Sequence, residues 1–206
     1  MLDHVIIDLI AAIRSAFEEA LLERQAIEER FQVDVFLGDL SWETSYSLPG
    51  EGSPPRIRAD VTLDWPTWSQ STYRSWSIGE TPEEIPEAIL EISLRIQSLT
   101  GPVEPDIIFS TLSEVPPPIG TDTLEKTGLT LEQSFSQGRD QPDQIFSRTA
   151  IEITYEGSFH LTDEVLSDLS NLDRKFFPLG RWIASTLVRL GDLTLPFDTN
   201  EESELD

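Results

Sequence analysis

Near the start of the chain, apolar residues recur at helical spacing: Val5, Ile6, Leu9, Ile10, Ile13, Phe17 and Leu21, with Arg14, Glu18, Glu19, Glu23 and Arg24 mostly off that stripe. The spacing predicts a long amphipathic helix over 3–29 that Asp3 can cap. At Phe31 the period changes to two. In FQVDVFL, Val33, Val35 and Leu37 alternate with Asp34 and Phe36, which predicts a strand. LSWETSYSLPGEGSPP, residues 40–55, reads as a loop because its glycines and paired prolines cannot continue regular pairing. Alternation returns at 56–65. Ile57, Ala59, Val61, Leu63 and Trp65 take one face; Arg56, Arg58, Asp60, Thr62 and Asp64 take the other. Pro66 closes that strand. The polar TWSQST and the YRSWSI segment after it then read as the tip and return strand of a hairpin.

Thr81-Pro82-Glu83-Glu84 has the form of a capping box with proline at the first helical position. Behind it Ile85, Ile89, Ile92, Ile96 and Leu99 predict a second helix, stopped by Gly101 and Pro102. PDIIFSTL, residues 105–112, predicts a short strand. Residues 113–144 hold three consecutive prolines and the polar tract QSFSQGRDQPDQ, and read as an extended loop or interaction arm in which LTLEQSF forms at most a short strand. RTAIEITYEG alternates cleanly, with Thr149, Ile151, Ile153 and Tyr155 on one face. Thr162 opens a third helix carrying Val165, Leu166, Leu169, Leu172 and Phe176. Pro178 and Gly180 interrupt before a fourth segment with Leu179, Trp182, Ile183, Leu187 and Leu190. The expected architecture is α+β: a mixed or antiparallel sheet, a long N-terminal helix and two to three further helices packed on it. It forms one domain over 1–196, with 197–206, ending in DTNEESELD, as a disordered acidic tail.

Charge changes this picture more than composition does. The chain has 38 acidic and 14 basic residues, a formal net charge of −24, and only two lysines, Lys126 and Lys175. Such a surface repels nucleic-acid phosphates and anionic lipid, so neither is expected as a direct partner. No apolar run approaches the roughly 20 residues of a membrane span, and the N-terminus lacks the order of a signal peptide. With no cysteine, the chain forms no disulfide and no thiolate site.

Candidate chemistry is sparse. Carboxylate spacings such as Asp60 and Asp64, or Glu152 and Glu156, are expected by chance in so acidic a chain and read as solvated strand faces. His4 and His160 stand outside any HExxH or HxH pattern, and neither GEGSPP nor YEGSFH matches GxSxG, so no catalytic, cofactor or metal site is expected. The aromatic stretch is more informative. Trp65 continues the apolar face of its strand and reads as core. Trp68, Tyr73, Arg74 and Trp76, in or beside a polar tip, read as a partner interface.

The element order, with MLDHVIIDLIAAIRSAFEEAL followed by FQVDVFL and RIRADVTLDW, resembles that of the tail terminator or tail-completion proteins of tailed phages and the related cap proteins of contractile injection systems. The likeness spans residues 3–160 as an order of elements. It implies a structural, non-enzymatic virion subunit: a homo-oligomeric ring, often six-fold, that closes the tail tube. Such a ring touches tube or sheath subunits on one side and neck or connector proteins on the other. Three alternatives stand beside it: an acidic DNA mimic that binds a DNA-processing enzyme, a neck or baseplate assembly subunit, and an accessory domain from a salt-adapted host with no assembly role. Arg56, Arg58 and Arg74, interspersed among the acids, weigh against mimicry.

Overall fold

A computed structural model of the chain describes residues 2–22, 26–36, 38–81, 83–101, 103–112, 115–119, 122–137, 145–162, 165 and 172–198. In chain order the elements are α1 (Leu2–Leu22), β1 (Ile27–Phe36), β2 (Asp39–Ser47), β3 (Ile57–Trp65), α2 (Thr67–Ser77), β4 (Glu87–Leu99), α3 (Pro105–Thr111), β5 (Pro118–Ile119), β6 (Asp122–Thr123), β7 (Glu125–Gln137), β8 (Ile145–His160) and α4 (Leu172–Gly191). Six strands form one antiparallel sheet in the order β1-β2-β3-β4-β8-β7, and β5 and β6 form a separate two-stranded ladder. The fold is α+β.

The period-two faces of the inner strands meet the helices. Ile57, Ala59, Val61, Leu63 and Trp65 of β3 are buried, and so are Ala88, Leu90, Ile92, Leu94 and Ile96 of β4 and Ile151, Ile153 and Tyr155 of β8. Helices α1 and α4 pack on this face and on each other. Phe17 meets Tyr46 of β2 edge-to-face at 5.8 Å, Trp182 meets Tyr155 at 5.3 Å, and Phe176 lies 4.9 Å from Phe159. Each fully buried side chain of this size contributes roughly 1.5–3 kcal/mol of transfer free energy. Gly180 allows the helices their close approach, since a Cβ there would stand 2.9 Å from Phe17 Cδ1 and 3.1 Å from Ala20 Cβ.

Several segments depart from the sequence expectation. The predicted helix over 81–99 is strand β4. Its apolar residues satisfy two periods at once, and hydrogen-bonded neighbours on both sides, β3 and β8, select the period of two. The predicted strand at 105–112 is helix α3, which Pro105 and Asp106 start; its apolar run is too short to define a period. The predicted 40–55 loop contains β2, whose Trp42, Thr44 and Tyr46 are buried at alternate positions. Within the expected 113–144 arm, residues 125–137 are the edge strand β7. Helix α1 ends at Leu22 rather than 29, and α4 runs through Pro178, which is exposed. The predicted helix opening at Thr162 falls mainly outside the described residues. So do 199–206 of the expected acidic tail, while Phe197 bridges to Leu99 and the Asp198 carboxylate accepts a hydrogen bond from Arg148.

Candidate functional site

The stretch after Pro66, expected as a hairpin tip, is helix α2. A residue distant in sequence caps it: the Asp39 carboxylate accepts the backbone N–H of Thr67 at 2.5 Å and its hydroxyl at 2.6 Å. These two bonds hold the Asp39 carboxyl below the ordinary carboxylate range. The Gln70 side chain donates to the carbonyls of Gly38 and Trp65, both at 2.8 Å, tying the helix to the β1–β2 turn. Ser69 saturates its hydroxyl: it accepts from the Trp65 indole at 3.0 Å and the Glu87 N–H at 2.8 Å, and donates to the Glu87 carbonyl at 2.6 Å.

Helical geometry sorts the four expected interface residues into two groups. Tyr73 is core. It is 8% exposed and packs edge-to-face on the buried Trp65 at 5.7 Å, so its expected surface placement is corrected. Trp76 is half-buried against Tyr73, with ring centroids 5.7 Å apart. Trp68 and Arg74 face outward, Trp68 at 43% exposure. The structure therefore does not bring the four together as one surface.

A second feature was less visible in the sequence. Gln133 to Gln137 of β7 pair with Ile145 to Thr149 of β8, and Leu99, the last paired residue of β4, stands opposite Thr149. The end of the β7–β8 hairpin thus projects past the body of the sheet. Register places Leu129, Leu131 and Phe135 on the face that carries Ile151 and Ile153, yet they are 47%, 64% and 67% exposed. The alternation of LTLEQSF was the available signal, but nothing local indicated that helices cover this face elsewhere and stop short of β7.

The opposite face of the sheet is polar and acidic. Glu91 of β4 stands directly opposite Glu156 of β8, which stands opposite Glu125 of β7. Desolvation, reinforced by Glu156, Asp64 and Glu152, raises the Glu91 carboxyl above its ordinary range. Farther along this face Arg95 bridges Glu132 at 2.7 Å and Glu152 at 2.9 Å, and Arg148 pairs with Asp198 at 3.1 Å. Both arginines line a polar cleft of about 410 Å³ whose cationic groups are already ion-paired. Among the described residues no group of three or more acidic or histidine side chains is arranged to hold a metal ion, and no helix is long and apolar enough to cross a membrane. His160 pairs with Glu87 at 3.5 Å. No family model, curated protein or solved structure matches the chain.

Proposed function

We propose that this chain is a structural subunit that assembles with copies of itself into a ring closing the end of a phage tail or phage-tail-like tube, between the tube or sheath subunits and the neck. The observation that carries the reading is the uncovered β7 edge, with Leu129, Leu131 and Phe135 exposed on a chain of net charge −24. A long apolar strand edge invites pairing with another chain unless something covers it. An acidic surface elsewhere limits association to chosen contacts. Trp68 and Arg74, outward-facing on α2, supply a second contact surface suited to a tube or neck protein.

The test is absolute mass by light scattering together with negative-stain images, across concentration and at low and high salt. A closed ring of about six copies supports the reading. A single chain under every condition overturns it.

A second reading, a DNA mimic, draws on the row Glu91, Glu156 and Glu125 on the open face. It predicts a protein that stays monomeric and competes with DNA for a DNA-binding enzyme, with affinity falling steeply as salt rises.

A further inference from the structure

Deepening the reading of this chain as a self-assembling subunit, we infer that the joint is head-to-tail, with β7 of one copy pairing with β1 of the next so that the neighbour's α1 covers Leu129 and Leu131. Three observations carry this.

The first is topological. Among the described residues the sheet has six antiparallel strands and two edges without a further strand, β1 and β7. Because the number of strands is even, the two edges run in opposite directions. A copy placed beside another in the same orientation therefore brings β7 against β1 in antiparallel register, and the helices of both stay on the same side of the joined sheet. A contact of this kind uses both edges of every copy and closes when the rotation per copy permits.

The second is the uneven helix cover. At the β1 edge α1 lies over the sheet: Arg14 donates to Glu28 of β1 at 2.9 Å, and Phe17 packs on Tyr46 of β2. At the β7 edge the same face is bare from Leu129 onward. Cross-strand pairs place Leu129 in one row with Ile153, Leu94, Ala59, Tyr46 and Glu28. An unstaggered joint therefore sets Leu129 level with Glu28 of the next copy, where the second half of α1 lies. That half ends in Leu22, which is 73% exposed. One edge has a helix extending over it and the other has an apolar stripe lacking one.

The third is charge. Along β7 the charged side chains are Glu125, Lys126 and Glu132, and beyond Lys126 only Glu132 is charged, so this edge carries a net charge of only −1 within a strongly acidic chain. Glu132 is moreover held by Arg95. A second acidic copy can approach here without the repulsion it meets elsewhere. Two β1 edges could not meet on such terms, since residues 27–36 hold Glu28, Glu29 and Asp34 against Arg30.

The experiment compares wild type with the double variant Leu131→Glu/Phe135→Glu, both sites being exposed, and with Leu22→Glu on the opposite side of the joint. Circular dichroism and thermal unfolding establish that each variant is folded, and the α1 variant keeps the test informative if the double variant is not. Light scattering is expected to show an oligomer for wild type and the mass of a single chain for the double variant, with Leu22→Glu shifted the same way. A tagged double variant, mixed with untagged wild type, is expected to capture it, because its β1 edge still accepts a wild-type β7. Failure of a folded double variant to capture wild type would mean that β7 pairs with β7 about a two-fold axis, which overturns the head-to-tail joint. Wild-type mass in the folded β7 and α1 variants would place the joint elsewhere, overturning this inference while the ring reading stands. A wild type that is a single chain at every concentration and salt overturns both.

Discussion

Asp39 and Glu91 respond to acid with opposite signs. Hydrogen bonds from Thr67 lower the folded-state pKa of Asp39, so its contribution to stability is present above its ordinary value of 3.8 and is lost as pH falls through the lower folded value. Burial and neighbouring carboxylates raise that of Glu91, so its ionisation opposes folding at neutral pH. That penalty disappears as pH falls through the raised value toward the ordinary 4.5. Glu91→Gln is therefore expected to raise the melting temperature at pH 7, by roughly 0.5 kcal/mol of stability as for one like-charge cross-strand pair, and to bring no gain below pH 4.5. Asp39→Asn is expected to lower the melting temperature at pH 7, with the difference narrowing in acid below 3.8. Melting curves of the two variants across pH check both signs. The rings of α2 divide in the same residue-by-residue way. Tyr73→Ala removes a buried ring and is expected to cost about 3–5 kcal/mol. Trp68→Ser is expected to leave stability within about 0.5 kcal/mol while weakening any contact made through α2. Urea unfolding separates the two, and a large loss from Trp68→Ser would place that ring in the core.

At the scale of elements, the α1–α4 contact depends on the absence of a side chain at Gly180. Its Cβ position is bounded by the Phe17 backbone as well as its ring, so the neighbour cannot yield by rotating a flexible end. Gly180→Val is expected to destabilise by about 1–3 kcal/mol through overpacking, read as a lower urea midpoint with an unchanged slope. Elements with one unambiguous period were legible beforehand: α1 through Ile13, Phe17 and Leu21, β3 through Ile57 to Trp65, and the middle of β8 through Ile151, Ile153 and Tyr155. In β4 Ile92 and Ile96 belong to both a helical and an alternating series, and only neighbouring strands separate the two. Helix α2 was hidden for a related reason, because its cap, Asp39, lies 28 residues upstream.

At the scale of the whole molecule, net charge opposes assembly and the β7 edge favours it. Screening is expected to decide the balance, so a ring hidden at low ionic strength should appear as salt shortens the Debye length from about 30 Å at 0.01 M to about 10 Å at 0.1 M. This salt dependence has the opposite sign to that of a DNA mimic, whose binding weakens as salt rises. From the sequence by itself came the α+β class, the strong acidity, the core role of Trp65 and the placement of Trp68 and Arg74 at the surface. Each follows from local periodicity or from counting, which need no knowledge of distant neighbours. Only the tertiary structure decided that 87–99 is a strand, that Tyr73 is buried, and that helices cover one edge of the sheet and leave Leu129, Leu131 and Phe135 bare at the other. Those outcomes depend on which segments far apart in the chain lie side by side, and an alternating strand reads the same whether or not a helix covers it.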